Sequence, residues 1–289
     1  MDQITQVGLI GFGTMGTGIA VVLAASGRSV VVVDTDQERL DRGRAAVESL
    51  CDGALRDSSA AEREAVLSRI VATIDLAQVA SADLVIEAVT EDFDIKKNVL
   101  SSVAGVIGSN VPIASATSAQ SITDLAAGLP NPGRIAGLHF FNPAPRHPVV
   151  EVIRGLETHE DVVDSLVTFV STLDKTEAIV VNDSPGFLVT SMLFPYLNDV
   201  IQALDDELAS AEDLDLALKL GLGYKVGPLE MLDAAGLDVH LQGTSALYAA
   251  TGDTRYAPPP LLRRMVAAGH LGAKTGHGFR INEPRKDNA

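Results

Sequence analysis

The pattern of hydrophobic and polar positions divides the chain into two parts. Up to about residue 181, short runs of Val, Ile and Leu alternate with stretches that have helical periodicity; from residue 185 onward only helical periodicity remains. Strands that alternate with helices are typical of an α/β fold with a mostly parallel, doubly wound sheet. The sequence therefore predicts an α/β domain followed by an all-α domain.

The first part contains eight predicted strands, at residues 7–10, 30–33, 70–74, 82–89, 112–115, 134–140, 149–154 and 178–181. Helices are predicted between them, at residues 15–26, 37–55, 60–69, 93–107, 121–127 and 160–173. Ser121 precedes its helix as an N-cap, because its hydroxyl can accept from a free backbone N–H. The helices at 37–55 and 60–69 form a predicted hairpin between the second and third strands.

The second part contains four predicted helices, at residues 187–206, 211–220, 228–250 and 260–268. We place the boundary near residues 181–184, which gives domains at 1–182 and 183–289. About 100 helical residues rarely bury several apolar faces on their own. We therefore expect the second domain to bury part of this surface against another subunit, in a homodimer.

Residues 7–34, VGLIGFGTMGTGIAVVLAASGRSVVVVD, carry the clearest chemical signal. Gly11, Gly13 and Gly16 have the G-x-G-x-x-G spacing at the point where a strand passes into a helix. Gly11 permits the tight turn, Gly13 lets a pyrophosphate approach the backbone, and Gly16 lets helix and strand pack closely. The helix directs its positive N-terminal end at the phosphates. The segment predicts a Rossmann dinucleotide site, which also includes Phe12, Thr14 and Met15.

Asp34 ends the second strand of this segment. A carboxylate there accepts hydrogen bonds from the adenosine ribose hydroxyls and repels a 2′-phosphate, so NAD is predicted rather than NADP. A glycine-rich turn without a ligand is the alternative, and the preceding strand, the following helix and Asp34 argue against it.

Composition limits the class of protein. The 289 residues carry a formal net charge of −16, which argues against nucleic acid and against a polybasic membrane-binding site. No apolar run is long enough to span a bilayer, and the first residues lack the features of a signal peptide. Cys51 is the single cysteine and has no histidine nearby in sequence, so neither an internal disulfide nor a nucleophilic role is expected. A cytoplasmic protein without a metal site is predicted.

A hydride-transferring enzyme needs a base, and histidine is the usual one because its pKa lies near neutrality. Of six histidines, His139 ends an apolar strand, GLHFFNP, and Glu151 lies on the next strand. Two adjacent strands that each end in one of these residues could bring the imidazole and the carboxylate within hydrogen-bond reach. The carboxylate could orient the imidazole and stabilise its protonated form. Spacing alone does not favour this interpretation over the alternative, which is a buried structural histidine beside a solvated glutamate.

Eight segments resemble those of the 3-hydroxyacyl-CoA dehydrogenases, especially the short bacterial 3-hydroxybutyryl-CoA type. They are GFGTMGTGIA, LVIEAVTED, the ATS within 113–118, GLHFFNPAP, VVEVI, NDSPGF, LGLGYKVGPLEMLDAAGLD and KTGHGF. The resemblance implies a Rossmann domain, a helical dimerisation domain, and NAD-dependent oxidation of a 3-hydroxyacyl thioester to a 3-ketoacyl thioester.

The resemblance also implies roles for individual residues. His139 would be the base, Glu151 its partner, and Ser118 would bind the substrate hydroxyl or ketone oxygen. A second group would lie near the nicotinamide ribose or the cofactor phosphates: Glu91, Lys96, Asn142 and Lys274. Lys96 and Lys274 could instead be ordinary solvated lysines.

Four departures from the family pattern affect the substrate rather than the chemistry. A lysine cluster that looks like a clamp for the CoA nucleotide is replaced by ALRDSSA at 54–60, with Arg56 beside Asp57. Thr190 and Ala116 stand where the family has asparagines. Thr190 is shorter than asparagine but can still donate one hydrogen bond, so beside Ser118 it is a candidate to bind the oxygen that becomes the ketone. The loop after HFFNP carries Arg146 and His147, which we expect near the mouth of the site.

These departures leave two substrates open. One is an ordinary acyl-CoA, and the other is a glyceryl-type thioester on an acyl carrier protein, as in the branch of the family that makes hydroxymalonyl polyketide extender units. The net charge argues against a carrier protein, because carrier proteins are acidic. A non-catalytic NAD-binding protein is a third possibility, against which His139 and Glu151 both speak.

Overall fold

The computed structural model describes residues 4–54, 59–174 and 176–281. Its contacts divide the chain into two compact units, one through Phe187 and one from Leu188 onward. The domain boundary expected from the sequence, between residues 182 and 183, lies close to this division. No helix in the described ranges combines the length and the apolar character needed to cross a membrane.

The first unit is built on an eight-stranded sheet, whose strands are β1 (Gln6–Ile10), β2 (Ser29–Val33), β3 (Ile70–Thr73), β4 (Leu84–Glu87), β5 (Ile113–Ser115), β6 (Ile135–Phe140), β7 (Val149–Arg154) and β8 (Glu177–Asn182). Their order in the sheet is β3-β2-β1-β4-β5-β6-β7-β8. All neighbours pair in parallel except β6 and β7, which are antiparallel. The predicted doubly wound, mostly parallel Rossmann sheet is confirmed.

Six helices cover the sheet: α1 (Thr14–Ala25), α2 (Gln37–Ala54), α3 (Ala60–Ser68), α4 (Phe93–Ala104), α5 (Ile122–Ala126) and α6 (Glu160–Ser171). The predicted hairpin between the second and third strands is present as α2 and α3. The Ser121 hydroxyl accepts from the N–H of Asp124, which confirms the predicted N-cap of α5. At α3, Ser59 and Glu62 form a reciprocal capping box.

The sheet separates two layers of buried side chains. On one face, α1, α2 and α6 contribute residues such as Ile19, Leu40 and Leu166. On the other, α4 and α5 contribute Leu100 and Leu125. Both faces of the central strands are therefore covered, which explains why those strands are continuous apolar runs in the sequence.

β4 is shorter than predicted. The sequence indicates a strand over 82–89, whereas the strand ends at Glu87. The reason is local: the Glu87 carboxylate accepts a hydrogen bond from the N–H of Val89, 2.7 Å away, and this turns the backbone out of the sheet. The chain then enters the loop that carries Glu91.

The second unit consists of helices α7 (Val189–Asp205), α8 (Ala211–Leu222), α9 (Pro228–Ala235), α10 (Leu237–Thr251) and α11 (Pro260–Ala267). The prediction of a single helix over 228–250 is wrong. Gly236 has a φ of 103°, outside the helical region, and divides the segment into α9 and α10. Likewise α7 begins after Phe187, whose φ is 51°. Leu197, Ile201, Leu229 and Leu262 are among the buried core residues of this unit.

Candidate active site

The predicted site residues of the first unit gather at one edge of the sheet. β1, β4, β5 and β6 are parallel, so their carboxyl ends meet at the same edge. The glycine turn follows β1, Glu91 follows β4, Ser118 follows β5, and His139 is the fifth residue of β6. The strand order reverses between β1 and β4, and open α/β sheets bind ligands at such a switch point.

The three glycines of the turn have different surroundings. Gly11 has a φ of 103°, and a Cβ on Gly16 would collide with the carbonyl oxygen of Gly11. A Cβ on Gly13 would meet nothing within 4 Å. Gly11 and Gly16 are therefore needed by the fold itself, whereas the open space at Gly13, beside the N-terminus of α1, is available to a ligand.

Asp34 holds the turn in place. Its Oδ2 accepts a hydrogen bond from the N–H of Phe12 at 2.7 Å, and its Oδ1 accepts from the N–H of Thr35 at 2.7 Å. The ring of Phe12 is buried and packs where Gly43 of α2 has no side chain. Phe12 thus fixes the turn, since its N–H donates to Asp34 and its ring packs against Gly43. Thr14 is exposed and Met15 half-buried in the first turn of α1.

A cavity of about 310 Å³ lies beside the turn. Its lining includes Gly11, Asp34, Ile74, Val89, Asn98 and Val99. A mostly apolar cleft next to a carboxylate suits a flat heterocycle joined to a ribose. Nothing in the sequence pointed to Ile74, Asn98 and Val99, because their spacing does not distinguish them from other positions of a strand end and a helix.

His139 and Glu151 are directly bonded. They are register partners on β6 and β7, and His139 Nδ1 lies 2.6 Å from Glu151 Oε2. The antiparallel pairing explains the contact: β7 begins at the edge where β6 ends. Glu151 therefore comes near the start of its strand, whereas the sequence argument had both strands ending in these residues.

The surroundings of His139 restrict its ring. The residue is 5% exposed, and Glu151 is fully buried. The ring of Phe141 lies 4.6 Å from that of His139, centroid to centroid, and the ring of Phe187 lies at 5.6 Å. The imidazole is thus held by aromatic packing and by a carboxylate at one nitrogen. Of the two interpretations that spacing left open, the one with a solvated Glu151 is wrong.

Glu91 is bonded to the loop that carries Ser118. Its Oε1 accepts from the N–H of Ser118 at 2.8 Å and from the Ser118 hydroxyl at 3.2 Å. The hydroxyl of Thr117 donates to Oε2 at 2.9 Å. The structure therefore brings together two residues that the sequence argument assigned separately, one to the cofactor and one to the substrate.

Lys96 is buried, not solvated. Its side chain is 1% exposed, and Nζ lies 2.9 Å from Glu87 Oε1 and 3.4 Å from Glu91 Oε2. The alternative of an ordinary solvated lysine is wrong for this residue. Glu87 was not predicted as a site residue. The available signal was a carboxylate at the end of an apolar strand with a lysine nine residues later.

The remaining predicted cofactor residues are exposed. Asn142 follows β6 in the first unit. In the second unit, Lys274 Nζ donates to Asp238 Oδ2 at 2.6 Å, and this hydrogen bond lowers the pKa of the Asp238 carboxyl. Thr190, the predicted substrate contact, is half-buried in the first turn of α7.

The departures from the family pattern have distinct locations. Arg146 and His147 line a cavity of about 320 Å³ with Val22, Ser26 and Asp174, at the opposite end of α1 from the glycine turn. This cavity is separate from the one beside Asp34. The ring of His147 lies 6.4 Å from that of Phe141, which packs on His139, and the expectation that Arg146 and His147 lie near the mouth of the site stays a prediction. Of the stretch at 54–60 that replaces the lysine cluster, residues 55–58, with Arg56 and Asp57, lie outside the described residues. Ala116 is buried.

Cys51 is also buried, on α2. Burial raises the pKa of its thiol, and the neighbouring Asp52 adds to the effect. A thiol with a raised pKa is a poor nucleophile, in agreement with the expectation that Cys51 has no nucleophilic role.

Comparison with known proteins covers nearly the whole chain. Residues 6–184 match the 3-hydroxyacyl-CoA dehydrogenase NAD binding domain, and residues 186–281 match the C-terminal domain of the same family.

A probable 3-hydroxybutyryl-CoA dehydrogenase of Deinococcus radiodurans is 41% identical over 95% of this chain and 99% of its own length. A 3-hydroxyadipyl-CoA dehydrogenase of Escherichia coli is 37% identical over 96% of this chain and 59% of its own length. The crystal structure of (S)-3-hydroxybutyryl-CoA dehydrogenase from Ralstonia eutropha, 39% identical, superposes with a TM-score of 0.92 and covers 98% of this chain and all of that one. This chain belongs to the 3-hydroxyacyl-CoA dehydrogenase family, an NAD-dependent family of oxidoreductases.

Proposed function

We propose that this protein interconverts a 3-hydroxyacyl-CoA and a 3-ketoacyl-CoA with NAD. Family membership supports the reaction class, and the names of the relatives support the thioester. The observation that carries the proposal is the His139–Glu151 pair, bonded at 2.6 Å at the sheet edge that also bears the glycine turn. A protein that only binds NAD has no need of this pair.

The described residues fit NAD. The space at Gly13 and the N-terminus of α1 can take the pyrophosphate, Asp34 the adenosine ribose, and the cavity beside Val89 the adenine. When bound, NAD supplies the acceptor for the hydride that leaves C3 of the substrate. A carboxylate at position 34 disfavours NADP by repelling its 2′-phosphate.

His139 acts as the base in this proposal. Because the Glu151 carboxylate can only accept, Nδ1 carries the proton of the 2.6 Å bond, and Nε2 has a lone pair to take the substrate hydroxyl proton. Glu151 orients the ring and stabilises the imidazolium that forms. In the reverse direction the imidazolium returns the proton to the ketone oxygen.

Ser118 and Thr190 would bind the substrate oxygen, Ser118 through its hydroxyl. In the structure this hydroxyl donates to Glu91, so binding of the substrate would exchange one acceptor for another. Glu91, Lys96, Asn142 and Lys274 would contribute to the nicotinamide ribose and phosphate site. These assignments follow from the family motifs, and the sheet edge described above supports those on the first unit.

Substrate choice is tested by comparing two thioesters at matched concentrations. We expect 3-hydroxybutyryl-CoA to be turned over with a micromolar KM, and a glyceryl thioester on an acyl carrier protein to be a poor substrate. The reverse preference would support the carrier-protein alternative. If no thioester is oxidised, the protein only binds NAD and the proposed reaction is wrong. If H139Q keeps the activity of an active parent, His139 is not the base.

A homodimer formed through the second unit is a further part of the proposal. It is supported by large apolar side chains that α8 leaves exposed, among them Leu216, Leu220 and Leu222, which are 55%, 72% and 57% exposed. Such a stripe is typical of a covered face. The cytoplasmic location stays a prediction.

A further inference from the structure

A buried carboxylate that the proposed mechanism does not use lies directly beneath the site. Glu87, the last residue of β4, is fully buried, and its two oxygens accept three hydrogen bonds. Lys96 Nζ at 2.9 Å and the N–H of Val89 at 2.7 Å donate to Oε1, and the Ser115 hydroxyl at 2.6 Å donates to Oε2. A carboxylate is costly to bury and is tolerated only when it is bonded this completely.

Lys96 connects Glu87 to the surface of the site. Its ammonium lies between Glu87 and Glu91, and it also donates to the carbonyl oxygen of Val89 at 3.3 Å. Of the two carboxylates that Lys96 joins, Glu87 is therefore the buried one, and Glu91, with a side chain 44% exposed, is the one that solvent reaches. A lysine with 1% of its side chain exposed has little freedom, so Glu91 faces a fixed positive charge.

Glu91 in turn holds the loop after β5. It accepts from the Ser118 N–H and hydroxyl and from Thr117, whereas Glu87 accepts from Ser115 at the start of the same loop. The loop is thus hydrogen-bonded at Ser115 to Glu87 and at Ser118 to Glu91, and both carboxylates contact Lys96. Because Ser115, Thr117 and Ser118 lie within four residues, a shift at either carboxylate is passed to Ser118.

We propose that Glu87 is a positioning residue for the dehydrogenase reaction, which fixes Ser118 directly through Ser115 and indirectly through Lys96 and Glu91. The inference rests on the proposed function, in which Ser118 binds the oxygen that becomes the ketone. Glu87 does not touch the substrate in this account. It sets the place of a hydroxyl that does, and a misplacement of about 1 Å in such a group costs up to about 100-fold in rate.

The test compares E87Q with a matched control at the other end of β4. Asp83 precedes β4 at its other end, is exposed, and accepts from Thr5 and Gln6, so D83N also replaces a hydrogen-bonded carboxylate by an amide. We expect E87Q to lower kcat by about 10- to 100-fold with the KM of the thioester changed less than about 3-fold. D83N should leave both unchanged. An E87Q enzyme with the kcat of the parent would overturn the proposal.

A double-mutant cycle separates positioning from a merely structural role. If Glu87 acts through Ser118, E87Q has little further effect on kcat in an S118A background. If the two losses instead multiply, Glu87 does not act through Ser118 and the proposal is wrong. Should E87Q fail to fold, S115A removes the 2.6 Å bond to Oε2, together with the weaker 3.3 Å bond that the Ser115 hydroxyl accepts from the N–H of Thr117. We expect it to lower kcat in the same way by a smaller factor.

An NMR measurement distinguishes failure of this inference from failure of the proposed function. The Ser118 amide donates to Glu91 at 2.8 Å, so its ¹H–¹⁵N resonance reports the position of the loop without any turnover. We expect it to move in E87Q, or in S115A, and not in D83N. An unmoved resonance overturns the positioning role even in an active enzyme. If the resonance moves in E87Q but the parent oxidises no thioester, the positioning of Ser118 by Glu87 stands and the proposed reaction is wrong.

Discussion

His139 and Glu151 are paired residue to residue across the antiparallel strands β6 and β7, with Nδ1 2.6 Å from Oε2. Register partners in a sheet place their side chains on the same face. The reversal of chain direction between Phe140 and Val149 therefore makes the contact, since β7 starts where β6 ends. The pair is positioned by two strands of the sheet, which are more rigid supports than loops.

The first prediction concerns E151Q. The amide keeps the shape of the side chain but can donate to Nδ1, which favours the tautomer with the proton on Nε2 and blocks that nitrogen as a base. We expect kcat to fall by about 10²- to 10⁴-fold, with NAD affinity unchanged because Glu151 lies outside the glycine turn. Steady-state kinetics and NADH titration measure the two quantities.

The matched control is E157Q, at an exposed glutamate three residues beyond the end of β7. It should keep the kcat of the parent. An E151Q enzyme that stays within about 3-fold of the parent would show that the carboxylate does not orient the base.

The glycine turn gives a second prediction, which separates folding from cofactor binding. In G13A the new Cβ meets no atom of the protein, so the fold should be unaffected, while the methyl group occupies the space proposed for the pyrophosphate. In G16A the Cβ collides with the carbonyl oxygen of Gly11, so the protein should be destabilised even without ligand.

Thermal unfolding without NAD and calorimetric titration with NADH test this difference. We expect G13A to keep the Tm of the parent and to bind NADH at least about 10-fold more weakly, and G16A to lose both stability and binding. If G13A binds NADH as tightly as the parent does, the pyrophosphate does not lie against this turn.

A third prediction concerns the choice between NAD and NADP. In D34N the amide oxygen can still accept from the N–H of Phe12, but the negative charge is removed. Because a hydrogen bond to a charged group contributes about 1.5–3 kcal/mol, the ratio of kcat/KM for NAD over NADP should fall by about 10- to 100-fold. D36N, at a nearby exposed carboxylate, should leave the ratio unchanged. An unaltered ratio in D34N would exclude the ribose contact.

Local patterns predicted much of this molecule. The glycine turn and Asp34 could be recognised because their residue types are required by backbone geometry within one short segment. Strand and helix positions followed from periodicity, and the Ser121 cap from a hydroxyl before an apolar run. These features depend on neighbours in sequence, which a single sequence displays.

The features that escaped prediction depend on neighbours in space. Glu87 carried no predicted role, and Lys96 was assigned to the cofactor site with a solvated lysine as the alternative. Their bond could not be predicted, because only the packing of α4 on the sheet buries both side chains. The break at Gly236 was missed since a glycine within an apolar helical pattern is tolerated in many helices. The bond between Glu91 and Ser118 joins residues 27 positions apart, and no periodicity signals it.

A fourth prediction tests the proposed dimer. Leu220 on α8 is 72% exposed, and a lysine there would place an ammonium group in the proposed contact. We expect light scattering to give about twice the chain mass of 30.2 kDa for the parent and the single-chain mass for L220K. L156K, at a leucine 84% exposed in the first unit, is the control and should remain a dimer. A parent that is monomeric at micromolar concentration contradicts the proposal.

The last prediction concerns His240, a buried histidine of the second unit. Its Nε2 lies 3.0 Å from the Asn198 side-chain oxygen, and the ring of Phe194 packs against it at 4.8 Å. Burial lowers the pKa of His240 to about 4, from an ordinary value of 6.5. The folded state therefore keeps this imidazole neutral at pH values where the unfolded state protonates it.

The sign of the effect follows from proton linkage. Between pH 6.5 and about 4 the unfolded state binds one more proton than the folded state at this site, so acidification favours unfolding. The stability that a neutral His240 contributes is complete above pH 6.5 and decreases as the pH falls towards 4. The loss approaches about 3 kcal/mol at the lower limit, since each pKa unit corresponds to about 1.4 kcal/mol.

Urea unfolding of the parent and of H240Q between pH 7 and pH 4.5 measures this contribution. Glutamine can still donate to the Asn198 oxygen but does not titrate, so the difference in unfolding free energy between the two proteins should change with pH in favour of the variant as the pH falls. H159Q, at an exposed histidine, should follow the parent over the whole range. Parallel pH curves for the parent and H240Q would mean that the buried imidazole is protonated in the folded protein, and that its environment is more polar than the packing of Phe194 and Asn198 indicates.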